Sequence, residues 1–329
     1  MNDARGETTE HANSTVAWGR VALFYGIALG MVSLLGVAFA LSGADFFFGR
    51  SSTFLQLVVA FLYMPMPLVA GLIVERVAGR RPEIRRIWAE FKPNWRRILL
   101  VTVAAASAIY LLEMGLTALL GNLLGVKGVG HLVFTQKGLI EVLTTLLPAQ
   151  VADGLTTSSM PAVLALYPLG LVAGIGAGLT INGLFAFGEE YGWRGVLMDE
   201  LAPLGAVKAN LLTGVMWGLW HAPLILLGFN YGADRILGAF MMCLWVTPLS
   251  FLLWRARQYS GSIVAPAMIH GAFNGSAGFF MLLIAAKTQL VGAPVGLVGA
   301  LGTFIAAVLV WWLTARAVST RAQQPTESN

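Results

Sequence analysis

RVAGRRPEIRRIWAEFKPNWRR, residues 76–97, lies between two apolar runs and carries eight of the chain's 21 basic residues: Arg76, Arg80, Arg81, Arg85, Arg86, Lys92, Arg96 and Arg97. A helix that crosses a bilayer needs about 20 apolar residues, and basic residues gather in cytoplasmic loops. This stretch therefore reads as a cytoplasmic loop, and alternation orients the rest. Eight apolar runs are present, near 20–42, 54–75, 98–121, 161–187, 207–228, 236–254, 263–286 and 294–315. Alternation adds Arg5, Arg20, Arg194, Lys208, Arg255, Arg257, Arg316 and Arg321 to the cytoplasmic side, and leaves Arg50, Lys127, Lys137, Arg235 and Lys287 on the other. Sixteen basic residues then face inward against five outward, a bias that a seven- or nine-helix count would spoil. The expected fold is an all-α polytopic membrane protein of about eight transmembrane helices, with both termini cytoplasmic. The expected organisation is a disordered tail over 1–16, one transmembrane domain over 17–316 and a second disordered tail over 317–329.

Composition agrees. Of 329 residues, 57% are hydrophobic and 11% charged, with a mean hydropathy of +0.75; a soluble domain carries about 25% charged residues. The net charge of +5 belongs to the cytoplasmic loops, so no nucleic-acid partner is expected. The first residues hold Asp3, Glu7 and Glu10, which makes them a poor secretory signal. Cys243 is the sole cysteine, which excludes an internal disulfide and a cysteine metal cluster. The outer connection 122–160 contains LIEVLTTLLPAQV, a candidate amphipathic interfacial helix. No dinucleotide, phosphate-loop, HExxH or GxSxG signature and no internal repeat is present.

Ionisable residues inside a membrane are candidate functional groups, because burying each one costs several kcal/mol unless it is paired. Three apolar segments carry them: FGEEYGWRGVL (187–197), WGLWHAPL (217–224) and AMIHGAFN (267–274). Residues four apart share a helix face. Glu190 and Arg194 therefore read as a buried ion pair. Glu189, about 100° around the helix, has no local cation and is the candidate for chemistry. Trp217 and His221 repeat the spacing, which makes the indole a cavity wall, and His270 with Asn274 can face one cavity. A lone histidine of this kind is often only an interhelical hydrogen bond, and the solitary Glu113 reads as structural. The coincidence of six polar residues on three helices in matching phase favours a site. Lys208 marks the cytoplasmic end of the fifth run, and His221 lies 13 residues on, about 20 Å deep. Either the fifth helix begins inside the bilayer after Pro203 or the cavity is a deep funnel, and the favoured reading is a deep funnel with the fourth helix continuing past Arg194.

The ordered set Glu189-Glu190-x-x-x-Arg194, Trp217-x-x-x-His221 and His270-x-x-x-Asn274 resembles the three signatures of the CAAX protease and bacteriocin-processing family of intramembrane endopeptidases. The likeness covers about 185–275. Trp217 stands where that family often has Phe. The resemblance implies a helical core around a cavity open to the cytosol. It also implies that Glu189, with His221, activates water for attack on a peptide carbonyl. Glu190 and Arg194 then hold the motif's shape, and His270 and Asn274 steady the oxyanion. The alternative is a metal mechanism in which zinc is bound by Glu189, His221 and His270 with the fourth position left to water. The lack of a spare acid to orient the histidines favours the first. The expected partners are the lipid bilayer and a membrane-associated peptide or protein substrate. Arginine outnumbers lysine 16 to 5, which hints at a GC-rich bacterial genome, where prenylated substrates are less expected. The rival readings are a transporter, against which no paired broken helices stand out, and a non-catalytic scaffold of the same fold.

Overall fold

The computed structural model describes residues 15–46, 52–82, 84, 87–147, 149–286 and 288–322. Most of the two expected tails, and Arg50, Arg85, Arg86 and Lys287 of the charge count, lie outside the described residues. The chain is all-α and multi-pass. Its main helices are α1 (Trp18–Leu41), α2 (Thr53–Val77), α3 (Ile87–Thr117), α4 (Gln136–Leu146) and α5 (Val163–Gly178). There follow α6 (Ile181–Glu190), α7 (Ala206–Trp220), α8 (Arg235–Ser260), α9 (Val264–Leu283) and α10 (Leu297–Ala322). α4 lies within the stretch expected to form an amphipathic helix. It is capped by Thr135, whose hydroxyl accepts the Gly138 amide at 3.1 Å, and it buries Leu139 and Val142.

Six segments among the described residues are long and apolar enough to cross a membrane: Trp18–Leu41, Thr53–Val77, Ala89–Leu123, Thr157–Gly178, Arg235–Ser260 and Leu297–Thr320. The expected count of eight is not reproduced on that measure, and the two expected runs that miss it are those of α7 and α9. α7 has 15 residues, because Pro223 supplies no backbone N–H and its ring opposes the helix just after His221. α9 has 20, but His270, Asn274 and Ser276 dilute its apolar character. The exposed faces are aliphatic, with Leu34 at 68%, Val172 at 67% and Leu184 at 69% exposure, as a hydrocarbon surround requires.

Packing radiates from α9, which lies along both α5 and α6 and also contacts α3 and α8. Glycines permit this approach. A β-carbon on Gly174 would sit 1.9 Å from the Ser276 hydroxyl, and one on Gly178 would sit 2.3 Å from the Met268 carbonyl. Backbones approach this closely only where side chains are small. The fourth apolar run, expected as one helix over 161–187, breaks at Leu179–Thr180, and α6 continues in the same sense. Gly170 faces Phe279, Gly178 faces Met268 and Gly195 faces Ile263, all antiparallel to α9. Glu113, on α3, is fully buried and accepts the Thr303 hydroxyl from α10 at 3.1 Å.

The two ends of the bundle sort as alternation requires. Glu200 receives Arg20 at 2.8 Å and also Arg80, while Asp199 receives Arg257 at 2.8 and 3.1 Å. Residues from the start of α1, the segment after α2, the 199–200 turn and the end of α8 thus meet at one end. At the other, His131–Leu132 pairs antiparallel with Ile284–Ala285, and the Thr288 hydroxyl approaches Asp234 at 3.5 Å.

Candidate active site

The site begins where α6 changes pitch. After Glu190 the helix widens into a π-helical segment, Tyr191–Leu197, and closes with one α turn, Met198–Glu200. Such wide turns recur at functional sites. The segment is buried throughout, and Gly192 packs directly against α2: a β-carbon there would lie 2.4 Å from the Pro67 carbonyl. The same helix therefore runs past Arg194 to the charged end of the bundle. Glu189 lies eleven residues below Glu200, about 16 Å at 1.5 Å per residue, and His221 fifteen below Ala206, about 22 Å. Both groups sit deep.

Arg194 and Glu190 have no exposed surface, and Arg194 Nη1 donates to Glu190 Oε1 at 3.2 Å. His270, 5% exposed, brings its Nδ1 to the same oxygen at 2.9 Å. Glu189 faces another way. Its Oε2 accepts the indole N–H of Trp217 at 3.0 Å. The Arg194 guanidinium carbon lies 4.0 Å from the Trp217 ring centroid. The His270 and His221 rings lie 5.3 and 5.8 Å from it. One indole therefore touches every charged group of the cluster except Glu190.

His221 follows the last residue of α7. Its Nδ1 lies 2.8 Å from the Trp217 carbonyl. A carbonyl only accepts, so Nδ1 carries the proton, and in the neutral ring Nε2 is left with a free lone pair. The ring packs edge-on to Trp220 at 4.9 Å, Trp220 leans on Tyr63 at 4.7 Å, and the Tyr63 hydroxyl donates to the Trp220 carbonyl at 2.6 Å. Trp193, Trp217, Trp220, Tyr63 and Tyr191 are among the largest fully buried side chains. They form an aromatic, low-dielectric box around the polar groups, in which electrostatic interactions strengthen.

The structure brings Glu189, Glu190, Arg194, Trp217, His221 and His270 together. Asn274, one turn along α9 from His270, is exposed and makes no hydrogen bond among the described residues. Three groups escaped sequence reasoning. Trp217 was read as a wall, although its N–H was the available signal. Glu75, buried at the end of α2, accepts the Tyr191 hydroxyl at 2.7 Å. Arg257 donates to the Arg194 carbonyl besides binding Asp199. Glu75, Tyr191 and Asp199, with Arg80, Arg81 and Gly195, line a cavity of about 350 Å³ beside the π-helical segment. Glu189, His221 and His270 do not line it.

A zinc ion does not fit the side chains as they stand. Among the described residues no three His, Cys, Asp or Glu groups converge as metal ligands. The contacts of His270 Nδ1 with Glu190, of His221 Nδ1 with a carbonyl and of Glu189 Oε2 with an indole leave both Nε2 atoms and Oε1 uncommitted, so the misfit rests on the spacing of the groups and not on these contacts.

A family model described as Type II CAAX prenyl endopeptidase Rce1-like matches residues 163–276, the segment from α5 to α9 that builds this cluster. The CAAX prenyl protease 2 of Methanococcus maripaludis is 29% identical over 96 residues, which is 26% of this chain and 34% of that protein. The chain thus matches about a third of that relative's length. The segment that holds Glu189, His221 and His270 is thus the part of the chain that is similar to the type II CAAX prenyl endopeptidases.

Proposed function

We propose that this protein is an intramembrane endopeptidase that hydrolyses a peptide bond in a membrane-associated peptide or protein. The observation that carries the reading is the convergence of Glu189, His221 and His270 on one buried indole, inside the segment that matches the prenyl endopeptidases. Glu189 Oε1, the oxygen not held by Trp217, accepts a proton from water while His221 Nε2 orients that water. The hydroxide attacks the peptide carbonyl carbon, and the proton passes on to the leaving nitrogen. His270, whose Nδ1 is committed to Glu190, presents Nε2; when protonated, this donor and the Asn274 amide steady the oxyanion. Asn274 reaches that role by a rotation or when substrate covers its exposed face. Glu190 and Arg194 hold the wide turn in place. No step is routed through a metal. Both termini are assigned to the cytosolic side of a cell membrane, with substrate entering from that side or laterally from lipid.

The test is hydrolysis of membrane-tethered peptides, with and without a prenyl group, by purified protein. Wild type is expected to cleave with or without a strong chelator, and Glu189→Gln to lose turnover. Cleavage by Glu189→Gln at the wild-type rate would sink the reading. One zinc per chain, lost with activity on chelation and restored with it, would replace this mechanism by the metal one.

A further inference from the structure

The Glu190–Arg194 pair does not touch the carboxylate assigned to chemistry; Trp217 stands between them. Its N–H is a lone donor fixed to a rigid ring, and at 3.0 Å it takes Glu189 Oε2. With Oε2 held, the carboxylate's orientation is restrained, and Oε1 is the oxygen left for a reacting water. The same residue's carbonyl takes His221 Nδ1–H at 2.8 Å, which sets the tautomer that frees Nε2. The general base and its partner are thus both tied to a single residue, one through its side chain and one through its backbone. Trp217 is 1% exposed, so no bulk water competes for the N–H. The Arg194 guanidinium rests 4.0 Å from the ring centroid. A cation over an indole face draws on its π density, and a more electron-poor ring makes its N–H a stronger donor to an anion.

Resting on the proteolytic reading above, we infer that Trp217 is a positioning residue. It sets Glu189 and His221 relative to each other, and through its ring it passes the pull of the Arg194 guanidinium on to the Glu189 carboxylate. A phenylalanine would supply the same wall and the same stacking face without the donor, so the wall and the donor can be separated.

The experiment compares wild type, Trp217→Phe and a chain carrying benzothienylalanine at 217, in which sulfur replaces the N–H within the same ring outline. Melting temperature, kcat and KM are read for each on one tethered peptide that wild type cleaves. Loss of a hydrogen bond to a charged group corresponds to a fall in kcat on the order of 10- to 100-fold. That fall, with KM within about twofold and an unchanged melting profile, is the expected result for both variants. The isostere decides the matter if phenylalanine fails to fold. A smaller fall in kcat, or a loss that appears in KM alone, overturns the positioning role while leaving the peptidase reading intact. A wild type that cleaves nothing overturns the peptidase reading and this role with it, and the parent assay tells the two failures apart.

Discussion

Arg194 is a permanent cation with no exposed surface, held by one carboxylate oxygen at 3.2 Å and one aromatic face at 4.0 Å. Its Nε and Nη2 have no hydrogen-bond partner among the described residues. Such a pair is a weak source of net stability but a costly one to break, since removing one partner strands a buried charge. Arg194→Ala is therefore expected to destabilise the fold by about 3–5 kcal/mol, read as lowered yield and melting temperature in detergent. A normal melt with abolished turnover would move Arg194 out of the structural role. Methionine at 194 with glutamine at 190 removes both charges together, and it is expected to recover much of the lost stability without restoring turnover.

At the scale of elements, two breaks place the chemistry. Pro223 stops α7 directly after His221, so the ring sits at a helix end. Pro223→Ala is expected to let α7 run on and to re-aim His221, lowering kcat at least about tenfold for an angstrom of misplacement while the protein still folds. Unchanged kcat would show that the stop has no part in aiming the ring. The second device is the glycine seam between α5 and α9. Gly174→Val places a branched side chain where a β-carbon alone meets Ser276 at 1.9 Å, so the helices must separate. The expected outcome is destabilisation of more than about 2 kcal/mol, at the upper end of overpacking costs, measured by thermal melt; a wild-type melt would refute the close seam. These elements also mark what the sequence could tell. The polar residues and their i, i+4 spacing were legible because isolated charge in an apolar run is conspicuous. The π-helical widening after Glu190 was not, since no residue type announces it. The break at Leu179–Thr180 was hidden inside one apolar run. The donor role of Trp217 was hidden because a hydrogen bond between α7 and α6 is a tertiary fact, and the residue's identity offered only the possibility.

For the whole molecule, charge counting foresaw the grouping of loops better than hydropathy foresaw the count of spans. Arg20, Arg80 and Arg257, far apart in the chain and assigned to one side by alternation, do converge on Asp199 and Glu200. The runs that carry His221 and His270 are those that a length-and-apolarity rule loses, the first because its helix stops short before Pro223 and the second because polar residues dilute it. With Cys243 replaced by serine, a cysteine at exposed Lys208 is expected to react with an impermeant thiol reagent only after the membrane is opened. One at exposed Lys127 should react from outside in intact cells. The reverse pattern would invert the orientation.

The short pairing of His131–Leu132 with Ile284–Ala285 has a mechanical consequence. It latches the far end of α9 to the connection between α3 and α4, while Gly261, in the left-handed conformation at φ 72°, turns the chain tightly from α8 into its near end. A helix anchored at both ends resists sliding along its axis, and a slip of one residue in the strand register would cost about 3.4 Å of travel. His270 is in this sense a fixed post. Beyond His221 the chain makes one further helical turn, Ala222–Ile225, and is tied down by the Leu227 carbonyl, which accepts the Phe46 amide at 3.1 Å, and by the Tyr231 hydroxyl, which donates to the Val295 carbonyl at 2.9 Å. For α9, slow amide exchange across 284–285 is therefore expected, and exchange there as fast as at an open loop would show that the pairing anchors nothing.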